Sequence, residues 1–290
     1  SRINWDDGIL GDLSIDAASV SDPVLIRGDG QFLYTLASVC DDVDFGISNV
    51  VRGSDHVTNT ATQIQIIEAL GGDVPRFAHH SLLTGSKGEP LSKRLGTLSL
   101  RDLRASGFEP MAILSYMSRL GSSEPIELFD NLEDLAENFN ISNFGAQPTK
   151  FDLNDIIPLT KKYISTLDIS EVSDDLIKTG IPSDIAPKFW IMVRDNINTR
   201  TEIKHWWSIC SEGVAPLIDE EDIEFIDIAK SLLPVGTFDE STWKNWTSEI
   251  KKVTGRKGKS LFMPLRKALT GIEHGPDMSK MLPLLQKINL

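Results

Sequence analysis

The spacing of apolar residues divides the chain into a mixed part and a helical part. Before about Ser99, short apolar runs bounded by glycine alternate with stretches that have helical periodicity. Extended segments are predicted at residues 23–27, 47–53 and 75–80, and helices at residues 32–42 and 58–70. This order predicts an α/β fold for the first third of the chain.

After Ser99 the strand pattern ends and only the helical period remains. A helix that kinks or starts afresh at Pro158 is predicted over residues 151–167, because proline lacks the backbone donor that an interior helical turn needs. The other predicted helices cover 101–107, 110–120, 131–139, 171–179, 183–193, 201–211, 219–233, 239–253, 259–270 and 278–289. Five tryptophans of this part are predicted mainly as core residues, with stacking of one or two on unpaired RNA bases as the alternative.

Composition narrows the class of protein. The chain has 290 residues, a net charge of −13 and two cysteines, Cys40 and Cys210, which are too far apart in sequence to suggest a zinc site. No apolar run is long enough to span a bilayer, so we expect a cytoplasmic protein without membrane contact. The positive charge is clustered, which suits binding of one defined nucleic acid, although solvated helix faces give the same pattern.

One basic loop is the first candidate for chemistry. Ser92, Lys93 and Arg94 follow one another between Gly88 and Gly96. Glycine allows a backbone to approach a ligand closely, and the two cations suit a polyanion. A solvated basic turn remains the alternative explanation.

A second candidate lies where a predicted strand ends. Arg52 is followed by Asp55 and His56 at the predicted start of a helix, and sites in α/β folds lie at such strand ends. The guanidinium suits a carboxylate ligand. A structural ion pair for Arg52 and a capping or packing role for His56 remain open, and His79 and His80 are interpreted as packing residues.

These segments together resemble a known family. Residues 52–56 (RGSDH), Asn59, Thr60 and Gln63 precede the segment Leu91-Ser92-Lys93-Arg94, and further matching motifs follow in the same order to residues 258–271. The pattern resembles bacterial-type glutamyl-tRNA synthetases, which are class I aminoacyl-tRNA synthetases. The resemblance implies ATP-dependent formation of glutamyl-adenylate and transfer of glutamate to the end of tRNA(Glu), or also tRNA(Gln).

The resemblance also implies roles for single residues. Lys93, Ser92 and Arg94 would be catalytic, and Lys93 and Ser92 would contact the ATP phosphates. Arg52 and Tyr34 would bind glutamate. Asp55, Leu82 and Leu83 would complete the ATP site, with Mg²⁺ accompanying ATP and no separate protein metal site. The tRNA contacts would be His56, Lys161, Lys162, Arg256, Lys257 and Lys259.

The family's first nucleotide-binding half, with its His-Ile-Gly-His type motif, is not found in these residues. We therefore expect a C-terminal part of a synthetase that is inactive alone; as a separate expectation, the protein is monomeric. Residues 1–98 would be the end of the catalytic Rossmann-type domain, 99–168 a helical stem-contact region and 169–290 an all-helical anticodon-binding domain.

Three positions depart from the family pattern: Pro90 replaces the first lysine of the loop, Pro158 replaces a tryptophan, and Ser54 replaces an acid. The main alternative function is a non-catalytic RNA-binding module on the same scaffold. A glutaminyl-tRNA synthetase is disfavoured because it would read the anticodon with β-barrels, and a tRNA-modifying relative because it lacks an anticodon domain.

Overall fold

The computed structural model describes residues 1–85, 88–89 and 99–290. The chain divides into two compact units. The first unit contains Ser1–Gly96 and Leu114–Leu153, and the second contains Thr97–Ile113 and Asn154–Leu290. These divisions cut the chain differently from the three predicted domains, whose boundaries stay predictions. No helix among the described residues is long and apolar enough to cross a membrane.

A four-stranded mixed sheet organises the first unit. Its strands have the order β2-β1-β4-β3; β1 and β2 form an antiparallel hairpin, whereas β3 and β4 run parallel. A single parallel pairing of Asp7 with Phe77 joins β1 to β4. The strands are β1 (Arg2–Asp7), β2 (Gly11–Asp16), β3 (Asn49–Gly53) and β4 (Arg76–His80).

Helices α1 (Tyr34–Asp44) and α2 (Val57–Leu70) accompany this sheet, close to their predicted positions. Helix α2 buries Ala61, Ile64 and Ile67 completely or nearly so, as the apolar period requires. It ends at Gly71, whose φ of 76° is the left-handed conformation that favours glycine. A single 3₁₀ turn, Ser54–His56, separates the end of β3 from the start of α2.

Two predictions for the mixed part are wrong. Residues 23–27 form no strand; the chain makes a hairpin turn with one isolated bridge between Ile26 and Phe32, because glycine and aspartate dominate the intervening residues. Strand structure also does not end at Ser99. The short strands β5 (Leu83–Thr84) and β6 (Thr149–Lys150) pair in parallel, with Leu83 opposite Thr149.

The described part of the second unit is helical. Trp190 and Trp246 are almost completely buried, and each indole donates to a backbone carbonyl, of Leu167 and Ala229 respectively. Trp206 and Trp207 are buried as well, so the core prediction is confirmed for four of the five tryptophans of this part. The remaining helices of the chain are α3 (Leu100–Ala105), α4 (Pro110–Arg119), α5 (Leu132–Glu137), α6 (Leu153–Thr166), α7 (Ile169–Lys178), α8 (Ala186–Val193), α9 (Glu202–Glu212), α10 (Ile223–Ser231), α11 (Glu240–Thr254), α12 (Lys259–Thr270) and α13 (Met278–Met281).

Prolines explain the main differences between the predicted and the observed helices. Helix α6 continues through Pro158, so a fresh start of the helix there is wrong, whereas a kink stays a prediction; the proline stands in the second turn, where its missing N–H costs one backbone bond. The predicted helix over 278–289 is too long. Helix α13 ends at Met281, and a 3₁₀ turn containing Pro283 follows.

Candidate active site

Arg52 lies at the carboxyl end of β3, and its guanidinium is held by four neutral side chains. Nη1 donates to the Tyr34 hydroxyl at 3.2 Å, and Nη2 donates to Thr60 Oγ1 at 2.7 Å and Gln63 Oε1 at 2.6 Å. Nε donates to His79 Nε2 at 3.2 Å. Strand β3 supplies the arginine, α1 the tyrosine, α2 the threonine and glutamine, and β4 the histidine, so two strands and two helices contribute.

No carboxylate of the described residues lies within 4.0 Å of this guanidinium. The nearby Asp42 interacts with it only over a longer distance: burial raises the pKa of the Asp42 carboxyl, and the charge of Arg52 partly opposes that rise. Arg52 is therefore oriented but not neutralised. Such a cation is available to an anionic ligand, and its planar donors match a carboxylate.

Behind Arg52, His79 is joined to Asp7 in the interior of the first unit. The His79 Nδ1 lies 2.5 Å from Asp7 Oδ2, and the His79 backbone N–H donates to Oδ1 at 2.9 Å. The backbone N–H groups of Ile9 and Leu10 donate to the same Oδ1. Burial acts to raise the pKa of the Asp7 carboxyl, but the hydrogen bonds, led by that from His79, outweigh it and hold this pKa below its ordinary value.

Tyr34, Asp55 and His56 form the more open side of the site. The Tyr34 ring, which is 51% exposed, packs on the His56 ring with centroids 5.4 Å apart. His56 Nδ1 lies 3.2 Å from the Asn59 amide nitrogen, and its Nε2 lies 3.8 Å from Asp55 Oδ2. The structure therefore brings Arg52, Tyr34, Asp55 and His56 together, whereas their roles stay predictions.

The absence of a side chain at Gly53 lets the side chains of Asp55 and Leu82 lie close to the backbone of this residue. A Cβ on Gly53 would lie 2.5 Å from Asp55 Oδ1 and 3.1 Å from Leu82 Cδ2. The Leu82 carbonyl accepts from the Thr149 N–H at 3.1 Å, so it already takes part in the pairing of β5 with β6. The backbone contacts of Leu82 and Leu83 with adenine stay a prediction.

The basic loop falls outside the described residues. This applies to Ser92, Lys93 and Arg94, and equally to Lys87 and Pro90. Their predicted contribution therefore rests on the sequence alone.

The basic residues predicted to bind tRNA differ in their surroundings. Lys161 and Lys162 are exposed on α6, and Lys257 and Lys259 are exposed at the start of α12. Arg256, in contrast, makes an ion pair with Asp222, donates to the Glu221 and Ser260 carbonyls and stacks 4.2 Å from the Phe225 ring centroid. These contacts leave Arg256 less available than the two neighbouring lysines; all five roles stay predictions.

Two residues of the Arg52 site escaped prediction. Asp7 was not singled out, and His79 was interpreted as a packing residue, although both contribute to the hydrogen bonds behind Arg52. The sequence does contain a signal for both residues, because each is a polar residue near the end of a strand. Asp7 directly precedes Gly8, and His79 follows the buried residues Phe77 and Ala78. The described residues contain no group of three histidine, cysteine or acidic side chains suited to hold a metal ion.

Comparison with known proteins agrees with this architecture. Residues 1–158 match the family described as tRNA synthetases class I (E and Q), catalytic domain, and residues 183–289 match an anticodon binding domain. The first match covers more than half of the chain, which therefore belongs to the class I tRNA synthetases of the glutamate and glutamine group.

Relatives narrow the similarity within that class. The chain is 63% identical to glutamate–tRNA ligase 1 of Roseobacter denitrificans and 61% identical to glutamate–tRNA ligase 1 of Ruegeria pomeroyi, each over 287 residues. Both alignments cover 99% of this chain but only 65% of the relative. The chain thus spans about two-thirds of the length of these glutamate–tRNA ligases, as expected for a partial synthetase.

Solved structures show the same fold. The glutamate–tRNA synthetase of Elizabethkingia anophelis superposes with a TM-score of 0.76 at 21% identity, covering 98% of this chain and 63% of that one. A glutamate–tRNA ligase of Elizabethkingia meningosepticum, solved in complex with its amino acid, gives a TM-score of 0.77 at 21% identity with the same coverage. The expected order of an α/β catalytic part and a helical anticodon part is confirmed.

Proposed function

We propose that this chain is part of a glutamate–tRNA ligase and that its Arg52 binds a carboxylate of L-glutamate. The observation that carries the proposal is a guanidinium held by four acceptor side chains, with no carboxylate of the described residues within 4.0 Å of it. A carboxylate ligand would supply the missing negative charge in a charge-assisted, bidentate contact. The Tyr34 hydroxyl, next to Nη1, would offer a further hydrogen bond from the open side.

The complete ligase of which this chain would be a part would activate glutamate with ATP. Lys93, Ser92 and Arg94 would stabilise the charge that develops on the phosphates as pyrophosphate leaves, a contribution of electrostatics and positioning. Asp55 and the backbone of Leu82 and Leu83, which follow the carboxyl ends of β3 and β4, would hold the nucleotide. Mg²⁺ would enter with the ATP phosphates, whose charge it neutralises, since the described residues offer no cluster of ligands for it.

Transfer of glutamate requires the tRNA, which the second unit would bind through its exposed lysines. His56 would face the acceptor end, and Lys161, Lys162, Lys257 and Lys259 would contact phosphates, with Arg256 supporting the last two. Because phosphate contacts release counterions, the affinity for tRNA(Glu) should fall steeply with salt. We expect a monomeric cytoplasmic enzyme.

The test of glutamate binding uses the longest polypeptide encoded by the reading frame that contains these residues. Glutamate-dependent exchange of pyrophosphate into ATP is measured for the wild type and for Arg52→Gln. Loss of a charge-assisted pair of hydrogen bonds should lower kcat/KM for glutamate by about 100-fold, mainly through KM. Arg76→Gln is the matched control, because Arg76 is exposed at the opposite end of the same strand pair.

An unchanged KM for glutamate in Arg52→Gln would refute the assignment of Arg52. Absence of any exchange activity in the wild type, with retained tRNA binding, would favour the non-catalytic RNA-binding module. Charging of tRNA(Glu) and tRNA(Gln) by the same polypeptide then defines its tRNA substrates.

The tRNA contacts are tested separately by filter binding at several salt concentrations. The double variant Lys257→Gln/Lys259→Gln should bind tRNA(Glu) more weakly and reduce the slope of log affinity against log salt by about 2 units. Lys178→Gln, an exposed lysine outside the predicted contacts, should leave the slope unchanged. An equal slope for both variants would remove Lys257 and Lys259 from the interface.

A further inference from the structure

The two ring nitrogens of His79 have different partners, and this fixes where its proton lies. Nε2 faces Arg52 Nε at 3.2 Å and Thr60 Oγ1 at 3.0 Å. An arginine nitrogen is only a donor, so Nε2 must carry a lone pair and accept. The ring hydrogen therefore lies on Nδ1, from which it is donated to Asp7 Oδ2.

Asp7 is bound in a way that only a carboxylate satisfies. Oδ1 accepts from three backbone N–H groups, those of His79 (2.9 Å), Leu10 (3.1 Å) and Ile9 (3.2 Å). Oδ2 accepts from His79 Nδ1 and from the Trp5 indole at 3.3 Å. Both oxygens act only as acceptors, and the low pKa of Asp7 agrees with the ionised form.

We propose that Asp7 and His79 form a positioning pair, in which Asp7 imposes the Nδ1–H tautomer on His79 and the free Nε2 orients Arg52 toward its carboxylate ligand. The proposal rests on the proposed function of Arg52. Neither residue touches the ligand. His79 is completely buried and Asp7 is 2% exposed, so the pair acts from behind the guanidinium.

A simple packing role would not require this tautomer. In the other tautomer an N–H at Nε2 would point at the Arg52 Nε–H, and two donors would face each other in a buried place. Thr60 closes the arrangement, because its Oγ1 accepts from Arg52 Nη2 at 2.7 Å and lies 3.0 Å from His79 Nε2. Carboxylates that orient a histidine ring in this manner are a known means of supporting the group the histidine touches.

The variant Asp7→Asn tests the pair with almost no change of shape. The three backbone donors at the Oδ1 place should retain the amide oxygen there, which turns the amide NH₂ toward His79 Nδ1. His79 must then accept at Nδ1 and carry its hydrogen on Nε2. The altered ring would repel the Arg52 Nε–H and turn the guanidinium away from its ligand.

Nitrogen-15 NMR of the histidine rings reads the tautomer directly. The chain has five histidines, and the signals lost in His79→Gln identify His79. The wild type should show a protonated Nδ1 and an unprotonated Nε2, and Asp7→Asn should exchange the two. A wild-type His79 protonated at Nε2 would overturn the proposal; the tautomer is read from the wild-type spectrum, and His79→Gln serves only to assign the signals.

Kinetics of the full polypeptide give the functional measurement. Asp7→Asn should lower kcat/KM for glutamate by about 10- to 100-fold through a higher KM, with the KM for ATP unchanged. Trp5→Phe is the matched control, because it removes the other donor to Asp7 Oδ2 but leaves the tautomer intact. Its KM for glutamate should equal that of the wild type.

A second pair of variants applies if Asp7→Asn fails to fold. In His79→Gln the side-chain oxygen can reach the place of Nε2 and accept from Arg52, whereas in His79→Asn the shorter amide occupies only the place of Nδ1. Glutamine should therefore preserve a lower KM for glutamate than asparagine. Equal values would refute the positioning role. If Arg52→Gln leaves the KM unchanged, the proposed function fails; if only the Asp7 and His79 variants are without effect, the proposed function stands and the positioning pair fails.

Discussion

Substitution of Glu109 should destabilise the second unit more than substitution of its neighbouring acid. Glu109 and Arg200 form a bidentate ion pair, in which Arg200 Nε donates to Glu109 Oε1 at 2.5 Å and Arg200 Nη2 donates to Glu109 Oε2 at 3.1 Å. Only 3% of the Glu109 side chain is exposed, against 28% for Arg200. Burial acts to lower the pKa of the Arg200 guanidinium, but the hydrogen bonds and charge of Glu109 and Asp175 outweigh it and raise this pKa.

Glu109→Gln keeps the shape and removes the charge, leaving an amide NH₂ among the guanidinium donors. Removal of one partner from a buried pair costs roughly 3–5 kcal/mol, and the retained contact of Arg200 with Asp175 at 3.1 Å places the value at the low end. We expect a loss of about 3 kcal/mol. With a urea dependence of about 2 kcal/mol per molar, the unfolding midpoint should fall by about 1.5 M.

Asp175→Asn is the control, because its side chain is 36% exposed and solvent screens its pair with Arg200. Its cost should lie below about 1 kcal/mol. Intrinsic tryptophan fluorescence in urea follows mainly this unit. Of the six tryptophans, only Trp5 lies in the first unit; the others are Trp190, Trp206, Trp207, Trp243 and Trp246.

A Glu109→Gln midpoint no lower than that of Asp175→Asn would refute the reasoning. A double-mutant cycle with Arg200→Gln isolates the pair. Additive losses in that cycle would show that Glu109 acts through something other than Arg200.

Two further predictions concern the first unit. Gly53→Ala places a methyl group 2.5 Å from Asp55 Oδ1, and the exposed carboxylate can move aside. The free energy of unfolding measured in urea should therefore change by less than about 1 kcal/mol. The KM for ATP should rise if Asp55 holds the nucleotide. Because Asp7 has a lowered pKa in the folded state, its stabilisation is fully present above an ordinary carboxyl pKa of about 4 and is lost as the pH falls below that value. The stability difference between wild type and Asp7→Asn in circular-dichroism titrations should therefore shrink from pH 6 toward about pH 2.

Gly28→Ala is the control for the glycine prediction, since nothing lies within 4 Å of its added Cβ. An unchanged KM for ATP in Gly53→Ala would argue against a nucleotide contact by Asp55. A stability difference that grows as the pH falls would show that Asp7 is not bound as a carboxylate in the folded state.

The spacing of apolar residues along the chain correctly predicted helix α2 and the strand end that carries Arg52. Helix α2 and its glycine stop followed from the apolar period, and Arg52 at the strand end followed from the change of period before it. The strand predicted at residues 23–27 failed because its apolar residues belong to a turn closed by Ile26 and Phe32. The fresh helix start predicted at Pro158 failed because the helix propensity of proline reflects only the lost backbone hydrogen bond. Burial of one face of α6 outweighs that loss and lets the helix continue.

The arrangement behind Arg52 could not be predicted in the same way. Asp7 and His79 are 72 residues apart, and neither position has a local pattern that names its partner. The family resemblance predicted residues that would face the substrates, since its motifs are made of such residues. Supporting groups behind them became visible only when β1 and β4 were seen side by side.

That separation in sequence has a consequence for the folding kinetics of the first unit. The hydrogen bonds of Asp7 close a long loop of chain, and the entropy of loop closure must be lost before they form. Helices α1 and α2 and the β1–β2 hairpin contain only short-range contacts and can form earlier. We therefore expect the His79 contact of Arg52 to reach its final geometry later than these local elements, so refolding followed by glutamate binding should lag behind refolding followed by circular dichroism.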